Sequence, residues 1–305
     1  MDALVAQHLL NWLVLGSIYT LVAVGFSLLF GVLNVIHFSH GDVSMAAPFI
    51  ALAVIQAITV SLAPGGGTLT LILAIIVAML VIGLLGVLID WLVIRRFRAA
   101  PAMMALVATV ALGTVVRELI RTFYPQGSNP QPFPALTTQV IRLGEVVIPV
   151  FSLIVVSVSV ATVTALFFLL NRTGVGLRIR AVSEDRAVAR LMAIRPDRVF
   201  AITFFIASAI GAIGAVFFAS HAGVVRFDFG VQLGLIGFSA AVIGGLGSMQ
   251  GAILGSLLIA GVDSTVQMTV PDGASYRLVF IFALVIAVLV LKPSGVLGKP
   301  IFEKV

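Results

Sequence analysis

The chain has 305 residues, of which 61% are hydrophobic and only 10% charged, with no cysteine and a formal net charge of +6. Soluble domains carry about 25% charged residues, so a soluble protein is excluded, and the lack of cysteine excludes disulfides, iron–sulfur clusters and thiol catalysis. In a chain this apolar, the positive charge marks cytosolic loops under the positive-inside rule and not a nucleic-acid surface.

From Ala3 to Ile89 the only Asp, Glu, Lys or Arg is Asp42. Met1-Asp2 has no basic region, so the first apolar segment is expected to be a permanent span and not a cleaved signal. Three apolar segments precede the first basic cluster (Arg95, Arg96, Arg98), at about residues 8–33, 43–61 and 68–94. An odd number of spans places the N-terminus outside.

Between the first two segments lies a polar island, Asn34, His37, Ser39, His40, Gly41 and Asp42. Polar groups at membrane depth are costly and mark function. The island reads either as a broken helix lining a substrate path or as a plain cytosolic turn, with Gly41 relieving the backbone and Asp42 capping the next helix. A metal site through His37, His40 and Asp42 is a third reading, weakened by the lack of a fourth ligand nearby.

Spans at about 100–120 and 146–170 follow, separated by a proline-rich extracytoplasmic loop at 121–145. Arg117, Glu118 and Arg121 are expected to satisfy one another at the outer end of their span. Residues 171–198 then form the one long charged loop, with seven arginines against Glu184, Asp185 and Asp197. Ser183 is expected to cap a helix over 183–194, with Glu184 and Asp185 in its first turn. Ala187, Leu191 and Ile194 form one apolar stripe, and Arg186 and Arg190 lie off it. Such a helix suits a groove on a partner protein; lipid is its other ordinary contact.

After Arg198 come segments at about 199–221, 232–270 and 277–292. The middle one, as a single helix, would reach nearly 60 Å, about twice the hydrocarbon thickness. It is therefore split at Gly244-Gly245-Leu246-Gly247, which also places the lysine-bearing tail (Lys292, Lys299, Lys304) in the cytosol. Beyond the break, Gly247, Gly251 and Gly255 form a small-residue ladder for close helix packing. Asp263 and Gln267 share a helix face, suited to an interhelical hydrogen bond. Gly25-Phe26-Ser27 and Gly237-Phe238-Ser239 hint at internal symmetry. The expected fold is an all-α polytopic membrane protein, a single domain over 1–305, with about 8–9 membrane segments including broken or re-entrant helices. No P-loop, cofactor motif or catalytic constellation occurs, so the chain is not expected to be an enzyme.

Several stretches together resemble the LivH-type permeases of branched-chain amino acid ABC importers. They are Gly31–Asp42 with the following Val43-Ser-Met-Ala-Ala, Arg180-Ala-Val-Ser-Glu-Asp-Arg, Arg198-Val-Phe-Ala-Ile-Thr-Phe, Ala240–Gly255 and Pro293-Ser-Gly-Val-Leu-Gly-Lys-Pro. The likeness runs nearly the whole chain in order. Two departures stand out. Met192-Ala193-Ile194 carries alanine where the family's Leu-x-Gly-Ile has glycine. His37-Phe-Ser39-His40-Gly41-Asp42 matches the family's Asn-Phe-Ala-His-Gly-Glu with a shorter acid and an added histidine.

The resemblance implies a permease subunit in the bacterial inner membrane that pairs with a second related permease. It would receive branched-chain or related hydrophobic amino acids from a periplasmic binding protein and be driven by cytosolic ATPases. Glu184, Asp185, Arg186 and Arg190 would then set the electrostatic fit to the ATPase, Leu191 and Ile194 would insert into its groove, and Asn34–Asp42 would line the path. An importer of urea or short amides is the near alternative. An ion-coupled secondary transporter, using Asp42, Asp263 or a histidine, is the distant one, and a membrane scaffold the third.

Overall fold

In the computed structural model, residues 2–61, 68–98, 100–144 and 146–298 are described. Glu145, Lys299 and Lys304, placed in loops or tail from sequence, lie outside them.

Among the described residues, eight helices are long and apolar enough to cross a membrane. Helix α1 (Asp2–Leu33) is followed by a short non-helical stretch and α2 (His40–Ser61). Helix α3 (Thr68–Ile89) continues through a π-helical turn (Asp90–Ile94) into α4 (Arg95–Phe97). Helices α5 (Ala102–Phe123) and α6 (Val150–Arg172) come next. The charged loop holds α7 (Gly174–Glu184) and α8 (Arg186–Leu191). It leads to α9 (Pro196–Ala222), α10 (Phe229–Gly244), α11 (Met249–Thr269) and α12 (Gly273–Leu291). Helix α10 is apolar but shorter, and the long 232–270 stretch divides at Gly244–Gly247 as its length requires.

Local chemistry sets these boundaries. Pro196 occupies the first turn of α9, where its missing N–H costs nothing, and Gly223 at φ +68° ends it. The Ser248 hydroxyl accepts from the Gly251 N–H and so starts α11. Apolar runs of this length must be helical in lipid, since every backbone polar group needs an internal partner.

Helices α1 and α9 are buried on nearly all faces, and α2, α10 and α11 pack around them. Helices α3, α5, α6 and α12 lie outside and expose apolar side chains such as Leu84, Val107, Phe168 and Val279. The small residues of α11 let helices close up. A β-carbon on Gly251 would meet the Gly244 backbone, and one on Gly255 the Ala240 carbonyl. Gly247, expected as the first rung of this ladder, is not in the helix. It lies in the break at φ +83°, against Gly31 of α1.

The first two basic regions and the 292–298 stretch share one end of the bundle. Arg95 and Arg98 each bind the Asp197 carboxylate at 2.7 Å. The Val296 and Leu297 N–H groups bond the Ile243 and Gly244 carbonyls at 2.7 and 2.9 Å, beside the Gly247 turn that touches α1. At the other end, the 121–145 region is more ordered than an irregular loop. Gln131–Pro132 (β1) pairs with Val224–Val225 (β4), and Val140–Leu143 (β2) pairs with Val146–Pro149 (β3), both antiparallel.

Candidate functional site

The polar island divides between the membrane surface and its interior. Asn34 is exposed and sits at φ +56°; its N–H bonds the Phe30 carbonyl at 2.8 Å, and it follows the end of α1. Beyond it a non-helical stretch ending in a turn leads into α2, and His37, Ser39, His40 and Asp42 are all buried. The Thr109 hydroxyl of α5 accepts from the Phe38 N–H at 3.2 Å and anchors this stretch. Helix α2 therefore begins inside the protein.

Depth follows from the neighbours. A β-carbon on Gly25 of α1 would meet the His40 ring and the Ala207 carbonyl of α9, and one on Gly211 of α9 would meet Ser44 and the His40 ring. Residues 207–211 stand eleven to fifteen positions into α9, roughly 16–22 Å from its charged end and near the middle of a ~30 Å hydrocarbon layer. His37, Ser39, His40 and Asp42 thus lie inside the bundle and not in an exposed turn. Among the described residues no three His, Cys, Asp or Glu side chains converge on one point.

The interior is aromatic and tight. Phe26 meets His40 edge-on at 4.8 Å, His37 meets Phe204 at 5.2 Å, and Phe238 lies 6.1 Å from Phe26 and 5.1 Å from Phe38. The two Gly-Phe-Ser triplets noted in the sequence therefore face each other. Ser39 bonds His37 Nε2 at 3.1 Å, while His40 touches the Val22 backbone with no well-formed bond on either ring nitrogen. Gly41 is needed for a backbone contact, since a β-carbon there would meet Gly230 and Gly234 of α10.

Asp42 finds a partner that sequence reasoning assigned elsewhere. Its Oδ1 lies 3.3 Å from Arg117 Nε of α5. Arg121 does pair with Glu118, at 3.3 Å, but Arg117 turns inward and also bonds Thr114 at 3.1 Å. The available signal was the spacing Thr109, Gly113, Arg117, an i, i+4, i+8 stripe on one face of α5.

In the charged loop the helix expected over 183–194 is two helices. Thr173 caps α7, and Asp185, not Ser183, caps α8: its carboxylate accepts from the Ala187 and Val188 N–H groups at 2.7 and 3.0 Å. Glu184 and Arg190 are exposed. Leu191 (85% exposed), Met192 and Val188 form an apolar knob. Ile194 is half-buried against the core, so it does not share the outward stripe.

Arg186 was expected to face a partner and instead points inward. It donates to the Leu33 carbonyl at 2.7 Å and lies over the Phe200 ring at 5.1 Å. Burial, and then the neighbouring Arg98 guanidinium, draw it below the ordinary arginine value. The final carbonyls of a helix lack partners of their own, so this one arginine ties the loop to the end of α1 where the polar stretch begins. A cavity of about 30 Å³ lies between Arg186, Arg98, Thr109 and His37. Arg98 binds Asp90 and Asp197 and stacks on Phe200 at 3.9 Å, so Asp90 pairs with Arg98 and not with Arg95. A larger cavity of about 350 Å³ lies at the same end, lined by Ser27, Gly31, Arg180, Ser183, Gly247 and Gln250.

Away from this site, Asp263 and Gln267 do bond each other, at 2.7 Å. Asp263 also accepts from Tyr19 of α1 at 2.5 Å, the interhelical bond expected of it.

A broken helix at mid-depth, tied by an arginine to a loop with an exposed apolar knob, is a transport architecture, and the family comparison agrees. The model described as branched-chain amino acid transport system / permease component matches residues 8–289. The chain belongs to that family. The high-affinity branched-chain amino acid transport system permease protein BraD of Pseudomonas aeruginosa is 30% identical over 98% of this chain and 97% of its own length. The permease protein LivH of Salmonella typhimurium is 29% identical, and LivH of Escherichia coli 28%, with the same coverage. Among solved structures, PsaBC from Streptococcus pneumoniae in complex with Fab matches with a TM-score of 0.51. That match covers 94% of this chain and 92% of that chain at 13% identity, which shows a shared fold.

Proposed function

We propose that this chain is the membrane-spanning permease subunit of an ATP-binding-cassette importer for branched-chain amino acids. It is a transport protein of the bacterial inner membrane, with its C-terminus in the cytosol. Its partners are cytosolic ATPase subunits, a second related permease and a periplasmic binding protein that delivers the substrate. Near full-length likeness to permeases of such systems supports this reading.

The observation that carries the mechanism is the Arg186–Leu33 tie. The knob of Val188, Leu191 and Met192 enters a groove on the ATPase, with Glu184 and Arg190 at its rim. ATP-driven closure of the ATPases moves α8, and Arg186 passes that movement to the end of α1 and the 34–42 stretch. The permease then rocks between outward- and inward-facing states, a rigid-body change between two packings. The Ser27–Gly247 cavity is the cytosolic vestibule of the path.

Leu191→Asp tests the docking. It places a charge at the centre of the apolar contact without touching the buried core. Co-purification of the ATPases and uptake of leucine should both collapse; intact coupling would refute the docking role of α8.

A further inference from the structure

We propose that Asp42 and Arg117 form the recognition site for the two charges of a zwitterionic α-amino acid within the path: Arg117 takes the substrate carboxylate and Asp42 its ammonium group. This deepens the permease reading and rests on it.

The pair is built unlike a structural salt bridge. Arginine and carboxylate at depth normally meet as a bidentate fork, which satisfies both groups. Here a contact of 3.3 Å joins Nε to Oδ1, and among the described residues neither atom has a well-formed hydrogen bond. Among the described residues, Arg117 otherwise bonds the Thr114 hydroxyl in its own helix. Asp42 is 7% exposed and enclosed by backbone, since β-carbons on Gly113 or Gly230 would meet its carboxylate. These glycines let the backbones of α5 and α10 pack directly against the acid.

The surrounding field favours a second anion. Asp42 lies in the first turn of α2, and Gly230 brings the first turn of α10 against it. Two helix N-termini and one guanidinium thus converge on one carboxylate, and helix N-termini at a mid-membrane break suit anionic substrate groups. A zwitterion entering here exchanges one ion pair for two, and the charges balance. Urea or a short amide brings no charge to offset the cost of separating Asp42 from Arg117. The site therefore selects amino acids over neutral amides.

The test uses the co-purified complex in liposomes with its binding protein, scored for radiolabelled leucine carried per ATP hydrolysed. Asp42→Asn and Arg117→Gln should each lower that ratio about thirtyfold, as expected for truncating one member of a buried charge pair. The decisive variant is the double, D42N/R117Q. If the pair only holds helices together, removing both charges restores transport, and the proposal is overturned. If it reads substrate, the double variant assembles, hydrolyses ATP and stays as defective as the singles. Arg117→Lys keeps the charge and removes the fork, so it guards against misfolding. It should cost about tenfold in leucine per ATP, and an unchanged ratio overturns the proposal. Co-purification of ATPases with the unaltered chain tests the importer reading separately.

Discussion

Replacing Arg186 with methionine keeps the apolar stem of the side chain and removes only the guanidinium. Two contacts go. The bond to the Leu33 carbonyl, 2.7 Å long, is charge-assisted, and such bonds contribute about 1.5–3 kcal/mol. The contact with the Phe200 ring at 5.1 Å contributes about 0.5–1 kcal/mol. Arg98 offsets part of this, because its own positive charge opposes Arg186. A net loss of about 2 kcal/mol shifts the balance between tied and released loop roughly thirtyfold. The variant should still bind and stimulate the ATPases, since the Leu191 knob is untouched, but leucine carried per ATP should fall at least tenfold. Hydrogen exchange at the amides of Asn34–Phe38 should quicken in parallel. Normal coupling with quickened exchange would show that Arg186 braces the fold without transmitting motion. Unchanged exchange would refute the energetic argument itself.

Four further outcomes are expected. Ala193 sits at φ +59° and ends α8, with its N–H bonded to the Arg190 carbonyl and that of Ile194 to the Ala189 carbonyl. This is the helix ending that glycine favours. Ala193→Gly relieves about 1–2 kcal/mol of left-handed strain against about 0.5–1 kcal/mol of added chain entropy. Exchange at residues 192–194 should slow about two- to fivefold, and faster exchange would disprove the strain. Tyr19→Phe removes the bond to buried Asp263 and should cost about 1.5–3 kcal/mol, read as a lower midpoint of thermal unfolding in detergent. Gly255→Ala drives a methyl into the Ala240 carbonyl and should cost about 1–3 kcal/mol, read the same way; an unchanged midpoint would mean that α10 and α11 are not tightly packed. Leu191→Asp should leave that midpoint within about 0.5 kcal/mol of the parent, as for other exposed positions, while the ATPases are lost from the purified complex.

The positions of the spans were legible in the chain because length and hydrophobicity are local properties. Twenty apolar residues in lipid have no option but a helix, and 39 such residues cannot form one helix across it. That arithmetic placed the division at Gly244–Gly247. Side-chain direction was not legible. Ser183 and Asp185 are both eligible caps, and which one starts α8 depended on where α7 docks onto α6 and α9. That two-residue shift turned Arg186 inward to Leu33, left Leu191 outside and drew Ile194 toward the core.

The Asp42–Arg117 pair shows the same limit. The two residues are 75 positions apart in the chain, and Glu118 and Arg121 offered Arg117 a nearer and plausible set of partners. What brought Arg117 to Asp42 was the descent of 34–39 into the bundle, held by Thr109 and admitted by the bare backbones of Gly25, Gly113, Gly211 and Gly230. The sequence by itself determined that this is a multi-pass helical protein with one charged loop and one polar break. Only the tertiary structure decided that the break lies at mid-depth and that the loop is tied to it. Hydrophobicity is summed along the chain, whereas a polar group's partner depends on which helices pack together.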